Sequence, residues 1–88
     1  MQNQNNFQTS EYYLAVTLLT LKEEIIDMQK NISSNKAIFL FKTSPTLNKN
    51  INDFRQSKIL VEPQNLFMQH KLLKNRLYDY QEKLKSVN

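Results

Sequence analysis

The chain has 88 residues, 40% of them hydrophobic, with four tyrosines, five phenylalanines, one histidine and a net charge of +4. That length holds one domain with a small core. The absence of cysteine excludes a disulfide framework or thiolate metal site, and the absence of glycine excludes a Walker loop, a dinucleotide-binding turn and a kinase glycine loop.

Residues 1–6 are polar and read as a disordered N-terminal tail, leaving 7–88 as the domain. They lack the basic and apolar regions of a signal peptide, and no apolar run approaches the ~20 residues of a membrane span. A cytoplasmic protein without membrane contact is expected. Thr9 or Ser10 is placed to cap a first helix, with Glu11 in its first turn. Leu14, Leu18 and Leu21 recur at helical spacing, so this helix should end near Leu21 or Lys22.

Two readings compete next. Leu14, Leu18, Leu21, Ile25, Met28 and Ile32 form a heptad pattern that could prolong the helix. Alternatively, residues 24–30 form a strand with Ile26 and Met28 on one face, residues 31–36 turn, and 37–41 return. The run Ala37-Ile38-Phe39-Leu40-Phe41 suits a buried strand, and a strand needs a partner. The hairpin is the preferred reading. With no glycine, positive-φ positions are expected at asparagines, of which Asn31, Asn35, Asn48 and Asn50 sit near turns.

Leu47, Ile51 and Phe54 mark a short amphipathic helix over 46–57, capped by Ser44 or Thr46 with Pro45 at its first position. Residues 59–61 form an extended connector before Pro63. A last helix should run from about Gln64 to Ser86, with Leu66, His70, Leu73, Leu77, Tyr80 and Leu84 on one stripe. The fold class is therefore α+β: helix, two-stranded β-hairpin, short helix, long C-terminal helix. Leu14, Leu18, Phe39, Phe41, Phe54, Leu73 and Leu77 are the expected core.

Charge is uneven. Residues 1–30 hold two lysines against four acids, a net −2, and residues 31–88 hold ten basic residues against four acids, a net +6. A basic C-terminal region suggests nucleic acid as a partner, set against the simpler reading of a solvated helix face. Lys71, Lys74 and Lys85 fall broadly together on the last helix, while Arg76 and Lys83 point elsewhere. Lys42, Lys49, Arg55 and Lys58 form a second candidate patch. Tyr12 with Tyr13, and Tyr78 with Tyr80, could stack bases, although one of each pair should anchor the core.

No catalytic set emerges. His70 alone cannot build a zinc site and reads as a half-buried packing residue. Glu23, Glu24 and Asp27 suit protection of a strand edge better than cation binding. Ser10 and Ser44 have no adjacent base and serve better as caps. Neither metal, cofactor nor enzymatic activity is expected.

Several landmarks occur together: Phe7-Gln8-Thr9-Ser10-Glu11 followed by Leu14-Ala15, Phe39-Leu40-Phe41 before Ser44-Pro45, Val61-Glu62-Pro63, and Lys74-Asn75-Arg76-Leu77-Tyr78. In this order they resemble a small domain of unknown function found in bacterial and phage proteins, over residues 7 to about 80. The resemblance implies the order α-β-β-α-α and no established activity or catalytic residues. Members of that family usually carry a glycine after the first helix and an Asp-Gly or similar hairpin turn, and this chain has neither. The expected function is that of a non-enzymatic accessory protein binding nucleic acid or a nucleic-acid-associated partner. The alternative is a protein-interaction module, a homodimer formed through leucine-rich helices or a strand edge.

Overall fold

The run at 36–41 organises the molecule. In the computed structural model, which describes residues 6–31 and 36–86 (side chains for 6–29 and 36–80), it is the middle strand of a three-stranded antiparallel sheet. The elements are β1 (Phe7–Thr9), α1 (Tyr12–Thr20), β2 (Ile25–Asn31), β3 (Lys36–Phe41), α2 (Leu47–Arg55) and α3 (Pro63–Ser86). The α+β class stands, and the hairpin is β2–β3. The strand reading of 24–30 therefore replaces the helix extension.

The expected two-stranded sheet gains a third strand. β1 pairs with β3 in the register Phe7↔Phe41, Gln8↔Leu40, Thr9↔Phe39. Phe7 and Thr9 thereby join Phe39 and Phe41 on the core face, because residues opposite each other in a ladder share a face. The sheet order is β1-β3-β2, which puts the most apolar strand where both its edges are paired. The expected tail falls mainly on residues 1–5, and the hairpin turn on 32–35; both lie outside the described residues.

A bulge in β2 corrects the expected strand face. Ile25 pairs with Phe41, but Asp27 pairs with Leu40, so one step of β3 faces two of β2. The extra residue changes the alternation. Ile25 and Met28 both pack against the core, and Ile26 is exposed instead of sharing the face of Met28.

α1 is apolar nearly all round, and five consecutive residues, Leu14 to Leu18, are buried. Such a helix belongs between other elements. Its core partners are Phe39 and Phe41 of β3, Leu47 and Ile51 of α2, and Leu73 of α3. The buried Thr17 satisfies its hydroxyl by donating to the Tyr13 carbonyl at 2.8 Å. Five of the seven expected core residues are fully buried, while Phe54 and Leu77 pack partly buried at the margin. Burial of each of the two central Phe side chains contributes about 1.5–3 kcal/mol.

Helix ends follow their own chemistry. Glu11, not Thr9 or Ser10, is the N-cap residue of α1, and the Thr9 hydroxyl accepts the Glu11 N–H at 3.0 Å just before it. Thr46 precedes α2, but no side-chain bond caps its amides, and Pro45 lies in the preceding turn instead of at the first helical position. α3 begins at Pro63, with the Glu62 carboxylate accepting the N–H groups of Gln64 and Asn65 at 3.1 and 2.8 Å. This is the N-cap pattern supplied by a glutamate.

The helix C-termini use other residues than the expected asparagines at positive φ; of those asparagines, Asn35 lies outside the described residues. Among the described residues, Lys22 (φ 70°) and Ser57 (φ 61°) take positive φ. Glu23 N–H donates to Leu18 O and Lys22 N–H to Leu19 O; Lys58 N–H donates to Asp53 O and Ser57 N–H to Phe54 O. Both helices thus end in the Schellman arrangement, in which glycine is the favoured left-handed residue. Lys22 stands in the place after the first helix where the resemblance leads one to expect a glycine. Asn48 and Asn50 lie inside α2 and Asn31 ends β2.

Lys22→Gly should relieve left-handed strain of about 1–2 kcal/mol while adding about 0.4–1 kcal/mol of unfolded-state entropy. A net gain of about 0.5–1 kcal/mol is expected, seen as a rise in thermal midpoint of roughly 2–8 °C. An unchanged or lower midpoint would show that the lysine stem stabilises the site by other contacts.

A buried carboxylate ties α1, the sheet and α2 together. Glu23, the residue after the left-handed Lys22, is only 6% exposed. It accepts hydrogen bonds from Ser44 Oγ (2.5 Å), Thr46 Oγ1 (2.6 Å) and Asn50 Nδ2 (2.8 Å). Its negative charge lies at the N-terminus of α2, where the helix dipole favours it. Glu23 is therefore no edge-protecting charge. The adjacent groove of about 290 Å³ is lined by Lys22, Glu24, Lys42 and the 43–45 segment. Ser44 does have a neighbouring carboxylate, but both oxygens of that carboxylate are engaged in holding α2. Glu23→Ala should cost about 3 kcal/mol and lower the thermal midpoint by roughly 12–24 °C, and Glu23→Gln should fall between the two. A drop of only a degree or two in the alanine variant would remove this role.

Candidate nucleic-acid interface

α3 is a 24-residue helix, about 36 Å long, that uses one side for the core. Leu73 is buried on that side, and Leu66, His70, Leu77 and Tyr80 are half-buried along it. An adjoining side, roughly 110° round the helix, carries Phe67, Lys71, Lys74 and Tyr78, at steps of four, three and four. At 100° per residue they span roughly 60° of the helix circumference. All four are exposed, Phe67 at 65% and Tyr78 at 57%. Lys71 and Lys74 form no ion pair among the described residues.

The sequence-selected cations are thus unequal. Lys71 and Lys74 share the exposed face of α3. Lys85 continues that helix, and its side chain lies outside the described residues. The second set does not form one free patch. Lys49 is paired with Asp53 at 2.7 Å and Arg55 with Glu11 at 2.9 Å. Lys42 follows β3 at the groove beside Glu23, and Lys58 follows α2. Both are exposed. Arg76 lies on another side of α3, in a groove with Met28, Asp79 and Tyr80.

Each tyrosine pair is divided as expected. Tyr12 is half-buried and Tyr13 is 70% exposed; Tyr80 is half-buried and Tyr78 exposed. Tyr12 joins α1 to α3. Its hydroxyl donates to the His70 carbonyl at 3.0 Å and meets His70 Nδ1 at 2.9 Å. Because the phenol proton serves the carbonyl, Nδ1 carries a proton and donates to the phenol oxygen. The Tyr12 and His70 rings meet edge to face at 5.3 Å.

Phe67 was not among the residues selected from sequence. Its signal was its spacing: it precedes Lys71 by four and Tyr78 by eleven, in phase with the lysines. The core stripe expected from sequence took Leu66 for that turn, and Leu66 packs against the core while Phe67 stays exposed.

Residues 4–79 match the family model of a domain of unknown function, DUF5659. The chain belongs to this family. No similar protein was found among curated proteins or solved structures. The core and the α3 stripe of this DUF5659 domain lie within the matched residues; Lys85 lies beyond them. No described helix is long and apolar enough to cross a membrane, and no described group of three His, Asp or Glu side chains could hold a metal ion.

Burial holds the Tyr12 phenol above its ordinary value of 10.0, and repulsion from Tyr13 adds to the rise. The sign follows directly. Stability resting on the neutral phenol is present in full below pH 10 and is lost as the pH rises through the higher folded value. Tyr12→Phe should therefore lower the thermal midpoint at neutral pH, and the gap from the parent should narrow above pH 10. A gap independent of pH would show that ionisation of Tyr12 is not linked to folding.

Proposed function

We propose that this domain is a non-enzymatic, cytoplasmic accessory protein that binds nucleic acid through the exposed face of α3. One observation carries the reading: two lysines, without an ion pair among the described residues, lie between two exposed aromatic rings along one face of a helix whose adjoining face is anchored in the core. Lysines supply sequence-independent attraction to phosphates, and exposed aromatic rings supply stacking surfaces for bases. Lys71, Lys74 and Lys85 are the principal contacts. Lys42 and Lys58 are secondary, and Lys49 and Arg55 contribute least because each already has an acidic partner.

A second reading, a protein-interaction module, has its own support. Met68 and Leu72 are exposed on the neighbouring face of α3. The leucines first considered for self-association are mostly committed elsewhere, since Leu14, Leu18 and Leu73 are buried. The strand edges offer little: β1 has three residues and β2 carries a bulge, both of which blunt edge pairing.

Salt separates the readings. Fluorescence anisotropy with short single- and double-stranded oligonucleotides should show affinity that falls steeply with salt. Lys71→Gln and Lys74→Gln should each reduce the log–log slope by about 0.9 on duplex or about 0.7 on single strands. If no binding appears at low salt with tens of micromolar protein, and a concentration-dependent dimer insensitive to salt appears instead, the interaction reading replaces this one.

A further inference from the structure

Beside the lysine stripe, between α1 and α3, lies an apolar cleft of about 160 Å³ lined by Tyr13, Val16, Thr17, Leu66, Phe67 and His70. Its two aromatic walls come from different helices, and both are largely exposed, Tyr13 at 70% and Phe67 at 65%. The space is smaller than the roughly 300–1,000 Å³ of a drug-sized pocket, so it suits one planar ring and not an extended ligand. Two of the polar groups along its wall are already engaged. The Thr17 hydroxyl donates to Tyr13 O, and His70 Nδ1 is engaged with Tyr12. His70 Nε2 and the Tyr13 hydroxyl make no hydrogen bond among the described residues.

We infer that this cleft takes a single unstacked nucleobase of a single-stranded nucleic acid, with Tyr13 and Phe67 as stacking surfaces and His70 Nε2 accepting from a ring or exocyclic N–H. The inference rests on the reading of α3 as a nucleic-acid surface. Charge complementarity selects this occupant over an apolar peptide side chain. Lys71 is about 6 Å further along the helix from Phe67, and Lys74 about 4.5 Å beyond that. Any ring entering the cleft therefore has cations beside it, as a nucleotide with its phosphate requires. A base inside a duplex cannot enter without being flipped out, so single strands are preferred. The His70 ring is held by Tyr12 before any ligand arrives, so the acceptor needs no reorganisation on binding.

The test compares a short oligothymidylate with an abasic strand of the same length and charge, at fixed low salt. The full strand should bind more tightly by roughly 5- to 150-fold, the contribution of base–aromatic stacking. Tyr13→Ala and Phe67→Ala should each abolish most of that preference. Because both side chains are exposed, their thermal midpoints should stay near the parent's. Phe67→Trp adds a direct readout, since the chain has no tryptophan of its own. Its emission should be quenched by oligothymidylate and not by the abasic strand. Equal binding of the two strands, or unchanged emission with the strand bound, overturns the cleft and leaves the phosphate reading standing. If neither strand binds, the phosphate reading falls and takes the cleft with it.

Discussion

The Glu23 carboxylate is the point on which the rest of the fold depends. It is a buried charge with no cation bonded to it among the described residues, a situation that costs several kcal/mol unless donors replace the lost water. Ser44, Thr46 and Asn50 provide them, and all three come from the segment that opens α2. The exchange works in both directions. Glu23 is stabilised by two hydroxyls, an amide and the positive end of a helix, and α2, which lacks a side-chain cap of its own, gains an anion at its N-terminus. Since Glu23 immediately follows the left-handed Lys22, the turn that ends α1 also aims the carboxylate. One local conformation therefore sets the path from α1 into β2 and the position of α2 against α1.

Element types were legible because they follow from local pattern. The Phe39-Leu40-Phe41 run announces a buried strand, and Leu47, Ile51 and Phe54 announce an amphipathic helix. Pro63 marks the start of α3. Residues 7–9 carried no such signal. Three residues are too few for periodicity to register, and Phe7-Gln8-Thr9 becomes a strand only because Phe41 and Phe39 wait across the ladder. The bulge at Ile25/Asp27 was hidden for a related reason: alternation counts residues, whereas a bulge removes one from the count after the chain has chosen its partner. Glu23 misled because a glutamate beside Glu24 and Asp27 looks like surface charge, and its three donors lie 21 to 27 residues away.

The surface was legible in phase and not in detail. The angular position of Lys71 and Lys74 followed from helical geometry. The stripe expected on the core side also left Phe67, Met68 and Leu72 outside, as observed; what sequence did not supply was the cleft that Phe67 forms with Tyr13. An α3 packed with a slightly different rotation would bury Phe67 and expose Leu66. The observed rotation is fixed from outside the stripe, by Leu73 in the core and by the double contact of Tyr12 with His70. The ion pairs of Lys49 and Arg55 likewise depend on where the folded chain places their neighbours. Arg55 meets Glu11 across 44 residues, and no count of charges along the sequence reveals it.

A chain without glycine also differs before it folds. Glycine loses more backbone freedom on folding than any other residue, and replacing it where the native conformation allows stabilises by about 0.4–1 kcal/mol per position. A chain of average composition and this length would contain about six glycines. Their absence narrows the denatured ensemble by an amount equivalent to roughly 2–6 kcal/mol. The two left-handed residues at Lys22 and Ser57 cost about 2–4 kcal/mol together. The two quantities are of the same size. The strain at Lys22 and Ser57 is compensated along the whole length of the chain by its having less disorder to surrender.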